Sequence, residues 1–134
     1  MKANVKWIGN EQFLCTSESG HATVLDANGG KTAPSPLESV LLSLGGCSSV
    51  DVVSILQKSR QDLIGCEVEI SAERVDTIPR RFSKIHLHFI VTGNDISDKQ
   101  VERAVALSAD KYCSVAMMLD QVVEITHDFE VKSA

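Results

Sequence analysis

The chain has 134 residues, 43% of them hydrophobic and 23% charged, with a formal net charge of −5 and a pI near 5.3. That length suits one globular domain with a sizeable core. The acidic balance argues against a nucleic-acid partner or an anionic membrane surface, and Arg80-Arg81 is too short a basic run to offset it. The amino terminus, MKANVKWIGN, lacks the apolar run of a signal peptide, which predicts a cytoplasmic protein. The four cysteines, Cys15, Cys47, Cys66 and Cys113, are then expected as reduced thiols. Their spacing contains no C-x-x-C pair, so no zinc site and no cofactor is expected.

In chain order, Asn4 to Ala27 reads as short strands: NVKWI alternates in polarity, followed by Gln12–Glu18 and His21–Asp26, with turns at Gly9-Asn10 and Ser19-Gly20. Asn28-Gly29-Gly30-Lys31 is a turn, because its glycines and the following helix are misplaced for a phosphate-binding loop. The segment from Ala33 to Ser59 then dominates the sequence. Ser35-Pro36-Leu37-Glu38 is a capping box with proline at the first helical position. Leu37, Val40, Leu41, Leu44, Val52, Ile55 and Leu56 recur near the helical period, and between Pro36 and Gln57 only Glu38 and Asp51 are charged. Such a helix has almost no solvent face and is expected to lie buried at the centre of the protein, partly covered by a second subunit. Its most apolar stretch, Val40 to Leu56, is broken by four serines, two glycines and Asp51 and makes a poor membrane span, for which about 20 apolar residues are needed.

After a break at Gln61–Gly65, Cys66–Val75 alternates, with Cys66, Val68, Ile70 and Ala72 on the apolar face. Pro79 helps turn the chain through Asp76–Arg81. Phe82–Thr92 is a second strand, with Ile85, Leu87, Phe89 and Val91 inward and Lys84, His86, His88 and Ile90 outward. Ser97 or Asp98 caps a helix with the stripe Val101, Ala104, Val105 and Ser108. Cys113 lies at or just before the start of a further short helix, Val115–Leu119, and Val122–Val131 closes the chain as a strand. Strands, helix, strands, two helices and a strand make an α+β domain, residues 1–134, with mainly antiparallel sheets packed on the long helix.

Chemistry centres on Cys47. A free cysteine in an apolar helix usually packs as a small hydrophobe. Here Gly45-Gly46 precede it, and Ser48-Ser49 and Asp51 follow, which makes it part of the one polar patch in the helix. The two glycines, each costing about 1 kcal/mol in a helix interior, suggest a close approach to the backbone beside it. Cys113, near a helix start that stabilises a thiolate, could be its partner; spacing alone leaves both readings open. Cys15 and Cys66 fall in strands as packing residues. His86 and His88 share a strand face at a spacing metals use, but without a third ligand they read as solvent-facing. His21 and His127 are isolated. Glu38 reads first as the capping-box carboxylate.

The pattern P-S-P-L-E-S-V-L-L-S-L-G-G-C, followed downstream by K-Y-C-S-V-A-M-M-L, resembles the OsmC/Ohr superfamily of osmotically induced and organic-hydroperoxide-resistance proteins, in its branch of redox proteins. The resemblance runs over essentially the whole chain, including the 66 residues from Cys47 to Cys113. It implies an OsmC-like fold in an intertwined homodimer with the active site at the subunit interface. It also implies a thiol peroxidase in which Cys47 matches the peroxidatic cysteine and Cys113 the resolving one. The implied substrate is a small hydroperoxide, and the implied reductant a dithiol such as a lipoylated protein. The chain departs from peroxidase members at three points: it has no arginine before Arg60, Leu37 stands where they carry a glutamate, with Glu38 one position late, and Ser48 replaces an aromatic. Arg80 and Arg81, with Lys31 behind them, are the candidates for a cation serving Cys47. The competing reading is a small-ligand-binding or redox-sensing protein on the same scaffold.

Overall fold

The apolar segment folds into one helix, α1 (Pro36–Lys58), in a computed structural model that describes residues 1–134. Its start is the predicted capping box. The Glu38 N–H donates to Ser35 Oγ at 3.1 Å, and Glu38 Oε1 accepts the Ser35 N–H at 2.9 Å. Its end is held by paired bonds from the Arg60 N–H to Gln57 O and the Gln61 N–H to Leu56 O, both 3.0 Å. Arg60, at φ 60°, takes the left-handed position where glycine is usual. By length and apolarity α1 could cross a bilayer. In its own chain, however, it buries a stripe along one side, Leu44, Gly45, Ser48, Val52 and Leu56, while Leu42 and Val50 are 62% and 68% exposed. The expectation of burial on all sides is therefore met along one side only by this chain's own residues.

Two compact units are described, Met1–Leu42 and Ser43–Ala134. The first contains an antiparallel meander in the order β1 (Ala3–Gly9), β2 (Gln12–Ser17), β3 (Ala22–Asp26). Gly9 and Asn10 make the first turn at positive φ, which their residue types tolerate. Asp26, at 3% exposure, organises the following loop. Its carboxylate accepts the Thr32 hydroxyl at 2.6 Å and the N–H groups of Asn28 and Thr32, and these bonds hold it below the usual carboxylate range. The loop predicted at Asn28–Lys31 is thus a turn built on one buried carboxylate.

The second unit contains the order β4 (Asp62–Arg74), β5 (Phe82–Asn94), β6 (Glu124–Ser133). β4 and β5 form an antiparallel hairpin, and β6 runs parallel to β5. Three of the four strand pairings are antiparallel, in keeping with the sequence reading. The parallel one requires a crossover, made by α2 (Asp98–Leu107), a π-helical turn (Ser108–Tyr112) and α3 (Ser114–Leu119). Ser97 caps α2, accepting the Gln100 N–H at 3.3 Å, and Val101, Ala104, Val105 and Ser108 are buried as predicted. β4 begins before Cys66 because a register shift between Leu63 and Gly65 absorbs the break in alternation. Along β5, Ile85, Leu87, Phe89 and Val91 face the core, each contributing about 1.5–3 kcal/mol on burial. Ile90, assigned outward by alternation, is also buried.

The paired glycines of α1 have different surroundings. A Cβ on Gly45 would meet Ile70 Cδ1 at 2.6 Å and Val68 Cγ1 at 3.4 Å, so β4 is the element that approaches the helix backbone. A Cβ on Gly46 would meet nothing within 4 Å. In this chain alone, Gly46→Ala should therefore raise unfolding stability by about 1 kcal/mol through helix propensity, and Gly45→Ala should not. Denaturant melts of the two variants check this. A Gly46→Ala variant as costly as Gly45→Ala would show that something outside this chain packs there.

Candidate functional site

Cys47 and Cys113, separated in sequence, are neighbours in the second unit. Cys47 lies in mid-α1 and is part-exposed, whereas Cys113 caps α3 and is 1% exposed. The Cys47 thiol is close enough for its hydrogen bonding and charge to act on Cys113. Two donors aim at Cys113 Sγ: the Ser48 hydroxyl at 3.4 Å and the Ala116 N–H at 3.4 Å. Burial pushes the Cys113 thiol up from its ordinary value. The two donors oppose that shift, and the Cys47 thiol adds to it. The polar patch read around Cys47 is thus directed across to Cys113. Ser108, which the sequence offered only as part of a buried stripe, completes it: its hydroxyl lies 3.0 Å from Asp51 Oδ2 and 3.3 Å from Ser48 O. A thiol beside a second thiol, with one of them buried under two hydrogen-bond donors, can cycle between dithiol and disulfide.

The other predicted residues have hydrogen-bond partners or surroundings of their own. Glu38 is engaged in the capping box, and its bonds with Ser35 hold the carboxyl low. Arg80 and Arg81 stand in the turn after β4. Arg80 Nε donates to Val75 O at 3.4 Å, and Arg81 Nη1 donates to Phe82 O and Val122 O at 3.2 and 3.3 Å. Lys31 acts on Asp26. Cys15 and Cys66 are part-buried strand residues, and burial pushes the Cys66 thiol up. Beside the pair, a cavity of about 130 Å³ is lined by Ser48, Ala116, Leu87, Phe89, Ile125 and His127. His127 carries no sequence signal for this location, because only the parallel β5–β6 register brings it opposite Leu87.

The comparisons with known proteins agree with this architecture. The family model for OsmC-like protein matches residues 28–128. Protein YhfA of Escherichia coli strain K12 is 57% identical over 134 residues, covering all of both chains. The crystal structure of a hypothetical protein from Aquifex aeolicus is similar at a TM-score of 0.90 and 27% identity, over 99% of this chain and 96% of that one. An organic hydroperoxide resistance protein OsmC from Legionella pneumophila is similar in fold, with a TM-score of 0.72 and 15% identity over 96% of this chain and 95% of its own.

A second cluster of titratable groups lies on the other face of β5. His86 Nε2 and His88 Nδ1 both approach Asp128 Oδ1 on β6, at 2.9 and 2.7 Å, and His86 Nδ1 lies 2.7 Å from Thr126 Oγ1. The partner missing from sequence was Asp128, whose Oδ1 both rings approach. The bond to Asp128 raises the His88 pKa, and the bond from His88 lowers that of Asp128. The stabilisation from a lowered carboxyl is present above its unfolded pKa and is lost as pH falls through the folded value. That from a raised histidine is present below its unfolded pKa and is lost as pH rises through the folded value. The clasp therefore acts fully in the weakly acidic window between the two unfolded values. Asp128→Asn should move the His88 pKa down, read by NMR titration of its ring; an unchanged titration would contradict the clasp.

Proposed function

The chain belongs to the OsmC-like family, and from that membership and the thiol pair we propose that it reduces organic hydroperoxides by a two-cysteine cycle in the cytoplasm, with residues 1–134 working as one domain. The single observation that carries the reading is the meeting of Cys47 and Cys113, with Ser48 and Ala116 donating to the buried sulfur. In the cycle the Cys47 thiolate attacks the peroxide. The O–O bond breaks, the alkoxide leaves as alcohol on taking a proton, and Cys47 becomes a sulfenic acid. The Cys113 sulfur displaces the hydroxyl as water and forms a disulfide, which an external dithiol of lipoyl type reduces. Fold similarity to the Legionella pneumophila organic hydroperoxide resistance protein supports the substrate class.

The site sits in a homodimer in this reading. α1 buries one stripe in its own chain and leaves Leu42 and Val50 exposed, and Met117 and Met118 of α3 are 53% and 68% exposed. A second copy would cover such surface. A second reading, a small-ligand-binding or redox-sensing protein, draws on the cavity that shares Ser48 and Ala116 with the thiol site.

Peroxide-consumption assays with cumene hydroperoxide and dihydrolipoamide separate the readings. Cys47→Ser should fall to the uncatalysed background. Cys113→Ser should react once and stop, trapped as a sulfenic acid on Cys47 that drifts to over-oxidised forms. Wild-type protein that consumes no peroxide would leave the binding reading. Sedimentation velocity at micromolar concentration should give the mass of two chains; a folded monomer under those conditions would contradict the dimer.

A further inference from the structure

Resting on the two-cysteine reading above, we infer that Ser48 is a positioning residue for the reductive half of the cycle: its hydroxyl receives Cys113 as the leaving thiolate, and the reductant enters at Cys47.

The argument begins with an unusual use of a helical serine. Such a serine commonly returns its hydroxyl to a carbonyl one turn back. Ser48, at 2% exposure, donates across to Cys113 Sγ on another element instead, at 3.4 Å. The Ala116 N–H reaches the same sulfur at 3.4 Å. Sulfur is a weak acceptor as a thiol and a much stronger one as a thiolate. Two donors aimed at one buried sulfur therefore matter most when that sulfur carries the charge.

Access gives the direction. Cys113 is 1% exposed within its own chain, and a second subunit can only cover it further. Cys47 is part-exposed. A thiol arriving from solvent thus meets the Cys47 sulfur of the disulfide. Its thiolate attacks Cys47 Sγ, a bond forms between the reductant sulfur and Cys47, and the Cys47–Cys113 bond breaks. The electron pair passes to Cys113 Sγ. The reductant's second thiol, as thiolate, then attacks its own first sulfur, closing the reductant's disulfide and releasing Cys47. Each cysteine sulfur ends with one proton, and the two electrons come from the dithiol. Burial disfavours the charge left on Cys113, and the Ser48 hydroxyl and Ala116 N–H are what offset it.

The donor is also fixed in place. Ser48 O lies 3.3 Å from the Ser108 hydroxyl, whose shorter bond, 3.0 Å, goes to Asp51 Oδ2. The Cys113 N–H donates to Ser108 O at 2.9 Å. Donor and acceptor sulfur are therefore both tied to Ser108, so their separation does not depend on a mobile side chain.

The test uses the full chain oxidised with diamide, so that it does not depend on peroxide turnover. Reduction of the Cys47–Cys113 disulfide by dithiothreitol should slow about tenfold in Ser48→Ala, the loss expected for one charge-assisted hydrogen bond. Ser48→Thr should restore the rate by restoring the hydroxyl. In a Cys47→Ser background, the Cys113 thiolate absorbance should titrate at higher pH when Ser48→Ala is added. Wild-type protein quenched with a monothiol, glutathione, should carry the mixed disulfide on Cys47. Equal reduction rates for wild type and Ser48→Ala, or glutathione mapped to Cys113, would overturn the inference and leave the peroxidase reading intact. A disulfide formed by diamide but not by hydroperoxide would overturn the peroxidase reading and leave this one standing. No Cys47–Cys113 disulfide with either oxidant would overturn both.

Discussion

One buried polar crossing decides the character of the second unit. Midway along α1, Ser48 and Asp51 interrupt an apolar stripe and are matched across the core by Ser108 and Cys113. Buried hydroxyls without partners would each cost about 1–3 kcal/mol, and every such buried side-chain atom here has a partner. Those partners come only from the π-helical turn and the α3 cap, so the satisfied state exists only when the crossover from β5 to β6 is seated on α1. Hydrophobic burial supplies the bulk of the driving force, and this crossing selects which packing is adopted.

The same crossing brings two cysteines together that the sequence holds 66 residues apart. Their environments are unequal. Cys113 is enclosed and receives two donors; Cys47, in mid-α1, is part-exposed. Unequal surroundings of this kind suit two unequal roles, one sulfur meeting incoming molecules and the other holding charge in a dry place. The proposed cycle uses that inequality in both halves.

Much of the fold was legible because its signals are local. Ser35 and Glu38 specify a helix start by spacing alone, Ser97 does so for α2, and alternation at Cys66–Ile70 and Ile85–Val91 names the inward faces. What stayed hidden depends on pairings between distant residues. Nothing in Val122–Val131 says that it joins β5 in parallel, and from that register follow the Asp128 partner of His86 and His88 and the place of His127 by the cavity. The Gly65 shift hid four strand residues of β4, because a break in alternation looks like a loop. Of the site, both cysteines and the polar patch could be read, since small and polar residues in a dry helix demand a reason. The reason itself could not be read, because Ser108 signals nothing until the π-helical turn carries it to Asp51.

The central claim is that one cysteine pair, and no other, carries the redox chemistry. Counting thiols in the unfolded protein before and after one equivalent of cumene hydroperoxide tests it directly. The account predicts a fall from the four thiols of the sequence to those of Cys15 and Cys66 alone, with Cys47 and Cys113 recovered in a single linked peptide. Four thiols remaining, or a disulfide that includes Cys15 or Cys66, would contradict it.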